Sequence, residues 1–266
     1  MTATPGQATR ADGRPPVLLL CGGLGLRQRT HDDHTPKPLR PLPDGRALLL
    51  HVIDYYRAFG SDEFVLCVGY GADAIRRALL AEFHVPAEAV ESGPGWTRFT
   101  SGVRVTLVDS GPLASKSRRL RDARGHIGER SFFLGYADVL SDFDLGMLQS
   151  VQQATRAMAV MAATRVRARY GELTVGPDAL VTSFVEKPLR PELISAGYFL
   201  CTPAVFDELA EPCGEFEETV LPRLAAGGRL RAVVHEGRWH PLDTFKDFTE
   251  VEDLIAREEF PWPTPS

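Results

Sequence analysis

Five short, almost wholly apolar runs punctuate the first two-thirds of the chain, at residues 17–21, 63–68, 103–108, 131–136 and 157–163. A strand that is apolar at every position, not at alternate ones, suits a sheet buried on both faces. Helix-patterned stretches lie between these runs, near residues 48–59 and 73–83. The first ends at Gly60, and Asp73 is placed to cap the second. Strand and helix in alternation predict an α/β fold with a mostly parallel sheet covered by helices. Asp144 then caps a helix near 145–154. Beyond Tyr170 the pattern shortens to segments at 172–175, 180–186 and 197–201, read as antiparallel pieces folded over the end of the sheet. Short helices near 203–209 and 217–225, a strand near 230–235 and a last helix from about 245 to 258 complete the reading.

Composition narrows what such a fold can do. The 266 residues are 44% hydrophobic and 24% charged, an ordinary balance for a globular chain with a well-buried core. The net charge is −5 with no dense basic tract, which argues against nucleic acid as a partner. The longest apolar runs are too short to span a bilayer. Residues 1–15 are polar, lack the apolar core of a secretory signal and read as a disordered leader. Cys21, Cys67, Cys201 and Cys213 show no metal-ligand spacing, and three of them sit in strand-like contexts, so a reduced cytoplasmic location is expected.

The first strand leads into Cys21-Gly22-Gly23-Leu24-Gly25-Leu26-Arg27. Closely spaced glycines let backbone turn sharply and present N–H groups to phosphate oxygens. The stretch is neither a dinucleotide fingerprint nor a Walker loop, and alone it reads first as a tight strand-to-loop turn. Ten residues after Arg27 comes Thr35-Pro36-Lys37-Pro38-Leu39, where two prolines are expected to hold the lysine in an extended segment. Glycine turn, arginine and clamped lysine together suggest a triphosphate cradle.

This pairing resembles the signature of the sugar-1-phosphate nucleotidyltransferases, also called sugar-nucleotide pyrophosphorylases, and the resemblance runs from about Val17 to Trp262. Further stretches resemble the glucose-1-phosphate cytidylyltransferase branch. They are Thr106-Leu107-Val108-Asp109-Ser110-Gly111, Arg119-Leu120-Arg121, Phe184-Val185-Glu186-Lys187-Pro188, Arg238-Trp239-His240-Pro241-Leu242-Asp243-Thr244, and Phe260-Pro261-Trp262 near the end. The fold it implies is a Rossmann-like, GT-A-like nucleotidyltransferase with a small antiparallel sugar-side lid. Residues 16–266 would form one domain: a nucleotide-binding part at 16–165, a sugar-phosphate-binding part at 166–245, and a C-terminal helix and tail at 246–266.

The resemblance also assigns roles. Asp138 and Asp243 would jointly hold Mg²⁺; alone, each reads as a turn or capping residue. Arg27, Lys37 and Lys187 would be the catalytic cations. Leu20, Gly22, Gly23, Gly25, Arg27, Lys37 and Arg119 would line the nucleotide site, with Arg119 against a pyrimidine; a surface role for Arg119 stays open. Tyr170, Gly171, Glu186, Lys187 and Ser195 would receive the sugar phosphate. The implied partners are a nucleoside triphosphate, CTP above the others, and a sugar 1-phosphate, and the expected assembly is a homo-oligomer. The chain departs from the family pattern at Leu26, where a threonine is usual, and at Ser117-Arg118, where glycines are usual. Ser195-Ala196 replaces Asn-Gly, which puts glucose in question, and Ala137 replaces a glycine. A different base, a different sugar such as a heptose, or a catalytically silent binding subunit are the alternatives.

Overall fold

The computed structural model describes residues 14–22, 35–209, 214–257 and 259. Its elements follow the chain as β1 (Val17–Leu20), α1 (Leu48–Ala58), β2 (Glu63–Val68), α2 (Ala72–Glu82), β3 (Glu91–Gly93), β4 (Trp96–Ser101), β5 (Val103–Asp109), α3 (Lys116–Ile127) and β6 (Phe132–Tyr136). They continue as β7 (Val139–Ser141), α4 (Leu145–Thr155), β8 (Ala159–Thr164), β9 (Glu172–Val175), β10 (Val181–Val185), β11 (Ile194–Cys201), α5 (Phe216–Ala226), β12 (Leu230–His235), β13 (Trp239–Pro241) and α6 (Phe245–Ala256). Nine strands form one sheet in the order β12-β8-β11-β6-β1-β2-β5-β4-β3. β6, β1, β2 and β5 run parallel to one another, while β11 is antiparallel to both β6 and β8. β9 with β10, and β7 with β13, form separate two-stranded ribbons.

The apolar runs are continuous because the sheet is covered twice. Val17, Leu19 and Cys21 join one core with residues of α1, α4 and α6, while Leu18, Leu134 and Phe199 join a second with residues of α3 and α5. From β1 the chain passes to β2 on one side, and β6 returns to pair on the other. That reversal opens a crevice at the C-terminal ends of β1 and β6, the place where α/β sheets take ligands. Leu20–Gly22 and Tyr136–Asp138 flank it. Among the described residues, no helix is long and apolar enough to cross a membrane.

The structure corrects four expectations. Residues 197–201 are not lid: they belong to β11 in the middle of the main sheet, where Tyr198, Phe199, Leu200 and Cys201 are buried. Asp73 does not cap α2; Gly71 does, at φ +72°, and Asp73 pairs with Arg76 in the first turn. Asp243 does not cap α6, because Thr244 does so through a reciprocal capping box with Asp247. Lys37 is not in extended backbone but opens a 3₁₀ turn, Lys37–Leu39.

α3 was not foreseen. Ser115 caps it by accepting from Arg118 N–H at 3.3 Å, Arg118 pairs with Asp122 at i,i+4, and only the narrow stripe Leu120, Ala123 and Ile127 is apolar and buried. Leu120→Ala should therefore cost about 2–5 kcal/mol by opening a cavity under α3. Chemical denaturation measures it, and a loss below about 1 kcal/mol would contradict this packing.

Candidate active site

Two antiparallel three-residue strands bring distant carboxylates together. β13 pairs with β7 in the register Pro241↔Val139, so Asp138, just before β7, and Asp243, just after β13, emerge at the same end of the ribbon. Leu242 N–H donates to the Asp138 carbonyl at 2.9 Å and locks that end. Beyond it the Thr244 N–H donates to Asp247 Oδ2 at 2.6 Å, which fixes the turn that carries Asp243.

Lys37 completes the cluster. Its Nζ donates to Asp138 Oδ2 at 2.6 Å and to Asp243 Oδ1 at 2.9 Å. The lysine side chain is only 12% exposed, whereas Asp138 and Asp243 are 34% and 56% exposed, so both carboxylates still face the crevice. The 3₁₀ turn that presents Lys37 is closed by Leu39 N–H to the Pro36 carbonyl at 2.8 Å. Pro36 in turn seats against Gly71, where any Cβ would fall 2.2 Å from the proline Cγ. The left-handed start of α2 and the position of Lys37 are thus one packing problem.

A second cation organises the neighbouring loops. Arg119, 4% exposed, directs its guanidinium at main-chain carbonyls: to Val68 at the end of β2, to Gly22 at 3.0 Å and to Gly111 at 3.0 Å. Gly22 leaves the space that the guanidinium fills: a Cβ there would lie 2.2 Å from Arg119 Nη1, so the arginine would have to shift. This corrects the surface reading of Arg119. Its donors are engaged by backbone, and it holds the rim of the cleft in place.

A cavity of about 370 Å³ lies beside this rim, bounded by Leu20, Gly22, Pro112, Leu113, Tyr136 and Asp138. Lys116, Arg119 and Glu215 also line it. Lys116 Nζ donates to Glu217 Oε1 at 2.7 Å, and the Tyr136 hydroxyl donates to the same oxygen. Burial alone would raise the Glu217 carboxyl; the hydrogen bonds from Lys116 and Tyr136 outweigh it and hold the group below its ordinary range. Burial, then Glu217, pushes the Tyr136 phenol far up. Lys116, Glu215 and Glu217 escaped the sequence reading because they meet only once α3 and α5 are folded.

The sugar-side residues lie apart, on the β9–β10 ribbon and at the start of β11. Lys187 follows β10 in left-handed backbone (φ +47°), 3.5 Å from Glu186 Oε1, and both side chains are more than half exposed. Arg167 donates to the Lys187 carbonyl at 3.3 Å. Gly171 lies against Phe184 and Glu186, and Tyr170 is exposed. The Ser195 hydroxyl accepts from Gly197 N–H at 3.4 Å. Gly23, Gly25, Leu26 and Arg27 lie outside the described residues.

Among the described residues no group of three or more His, Cys, Asp or Glu side chains is arranged to hold a metal ion. The Asp138–Asp243 pair is a two-carboxylate oxygen set already closed around one cation, the ammonium of Lys37. That donor chemistry fits a hard divalent ion such as Mg²⁺, which takes one or two carboxylates and completes its shell with phosphate and water.

The chain matches the family model described as Nucleotidyl transferase over residues 17–258. It is 30% identical over 251 residues to the probable glucose-1-phosphate cytidylyltransferase of Bacillus subtilis (strain 168), covering 92% of this chain and 98% of that one. It is 28% identical over 258 residues to the glucose-1-phosphate cytidylyltransferase of Salmonella typhimurium, covering 93% and 98%. The crystal structure of HddC from Yersinia pseudotuberculosis superposes with a TM-score of 0.68 at 20% identity, over 91% of this chain and all of that one.

Lys37→Met would leave two carboxylates facing each other with no cation between them. The variant should melt below the wild type in chelator and recover part of the loss in millimolar Mg²⁺, since an ion bound only by the folded state stabilises it. Thermal denaturation checks this. Wild-type melting in chelator, with no response to divalent ions, would contradict the coupling.

Proposed function

The chain belongs to the nucleotidyl transferase family, and on that premise we propose that it transfers a nucleotidyl group from a nucleoside triphosphate to a sugar 1-phosphate, releasing pyrophosphate. The observation that carries this reading is the convergence of Asp138 and Asp243 on one cation, at the crevice where β1 and β6 diverge. A sugar-phosphate oxygen attacks the α-phosphorus in line and pyrophosphate leaves. The nucleophile is already an anion, so no general base is required, and the protein's task is positioning and charge neutralisation.

In this reading Asp138 and Asp243 hold Mg²⁺, which when bound screens the repulsion between two phosphates that must meet. Lys37, released from the carboxylates, turns to the triphosphate, and Arg27 steadies the departing pyrophosphate. Arg119 keeps the Gly22 and Gly111 carbonyls, and so the two loops of the nucleoside cleft, at fixed separation. On the sugar side Lys187 aims the nucleophilic phosphate and Glu186 accepts from sugar hydroxyls.

Two finer assignments belong to this proposal. CTP is the favoured donor, supported by the resemblance of residues 106–111, Arg119 and residues 238–244 to the cytidylyltransferases. The acceptor is a sugar other than glucose, supported by Ser195 in place of the longer asparagine. Losing such a polar contact lowers selectivity by roughly ten- to a hundredfold.

Pyrophosphate release from a matrix of triphosphates and sugar 1-phosphates tests the reading, including glucose, heptose, mannose and galactose 1-phosphates. Asp138→Asn or Asp243→Asn should each lower kcat by at least about a hundredfold with the fold retained by circular dichroism. Near-normal rates in both would contradict the site. Lys37→Ala should raise KM for the nucleotide more than for the sugar phosphate, and Lys187→Ala the reverse. Identical defects would mean the site is divided differently. Glucose 1-phosphate emerging as clearly the best acceptor would remove the sugar assignment alone.

A further inference from the structure

The cavity between β1, β6 and the start of α3 carries a charged pair that phosphoryl transfer does not use. Lys116 is the first residue of α3 and Glu215 immediately precedes α5. Their charged groups lie 3.6 Å apart, and both line the cavity. Lys116 is held from below: Glu217 accepts from its Nζ at 2.7 Å, and the ammonium sits 5.4 Å from the centroid of the Tyr136 ring. An ammonium has three donors. Glu217 engages one of them, and Glu215 pairs with the ammonium only at 3.6 Å, which leaves donors for a ligand. Glu215 is 42% exposed, and with Lys116 its only ion-pair partner among the described residues, it has acceptor capacity to spare.

The rest of the cavity offers apolar lining beside these charges. Pro112, Leu20 and the exposed Leu113 contribute apolar lining. Asp138, two residues beyond Tyr136, lines the same cavity and ties it to the phosphate end of the site. Apolar lining with a charged pair at one point, beside the Asp138 end where the proposed reaction puts the phosphates, suits a nucleobase.

We propose that Lys116 and Glu215 read the nucleobase as a donor–acceptor pair, selecting bases that carry both a ring carbonyl and an exocyclic amine. The ammonium donates to the carbonyl oxygen and the carboxylate accepts from the amine. Cytosine and guanine meet both demands. Uracil and thymine offer no amine and turn a carbonyl oxygen toward the carboxylate; adenine has no carbonyl. Cation-to-carbonyl and carboxylate-to-amine contacts of this kind discriminate bases by roughly tenfold to a hundredfold each. Glu217 and Tyr136 are positioning residues, acting through Lys116. The inference rests on the reading of this cleft as a nucleoside triphosphate site, and it narrows the donor to CTP or GTP by a route independent of sequence resemblance.

The test is calorimetric titration of the full chain with CTP, GTP, UTP and ATP in Mg²⁺ buffer without sugar phosphate, so that binding is read apart from turnover. CTP or GTP should bind at least tenfold tighter than UTP and ATP. Glu215→Gln should lower affinity for the preferred nucleotide about tenfold while leaving UTP unchanged or improved. Lys116→Met should weaken CTP and GTP more than ATP. UTP or ATP binding as tightly as the better of CTP and GTP overturns the proposal, while the cleft remains a nucleotide site. An equal loss for all four nucleotides in Glu215→Gln also overturns it, because the residue would then act on phosphate or structure. No binding by any nucleotide overturns the parent reading and this one together. The wild-type order alone decides the question should either variant fold poorly.

Discussion

Two carboxylates converge on one point in a cleft, and the Lys37 ammonium sits between them, where it offsets their mutual repulsion. Most of the surrounding architecture serves to maintain this arrangement. The β7–β13 ribbon sets the register that brings Asp138 and Asp243 to one end, and the capping box at Thr244 stops the turn beyond from drifting. Pro36, packed against the left-handed Gly71, aims Lys37 from the other side of the crevice. The cluster sets one ammonium against two carboxylates and so keeps a net negative charge; in the proposed reaction a metal ion would take the place of the ammonium, and the ammonium would turn to phosphate.

Arg119 works on the same principle one layer further in. A buried guanidinium costs a great deal unless its donors are met. Here carbonyls from the end of β2, the Gly22 turn and the loop after β5 meet them. Three segments of backbone that would otherwise repel through their carbonyl dipoles are gathered around one charge. That tie explains why the glycine loop starts where it does: any side chain at Gly22 would occupy the guanidinium's place.

Much of this was legible in the sequence, for physical reasons that also mark where reading failed. The strands stood out because a doubly covered sheet demands apolar residues at every position. Lys37 stood out because two flanking prolines make it an unusual place for a solvated charge, whereas Asp138 and Asp243 read alone as turn or capping residues and were marked only by the family resemblance. The ribbon that joins the two aspartates did not stand out, since three-residue strands carry no periodicity. β11 was read too short, from Gly197, and grouped with the pieces over the sheet end, whereas its buried run is central sheet. α3 stayed hidden because its polar face outweighs a three-residue apolar stripe. With α3 hidden, Lys116 could not be placed beside Glu217, and a contact across 101 residues of chain has no local signal.

If Asp138 and Asp243 act as one oxygen donor set, each must contribute to the affinity for a divalent ion. Mn²⁺ titration followed by electron paramagnetic resonance, with a non-hydrolysable triphosphate present, measures this without turnover. One bound Mn²⁺ per chain is expected, with affinity falling at least about tenfold in Asp138→Asn and likewise in Asp243→Asn. Unchanged Mn²⁺ affinity in either variant would contradict the shared site.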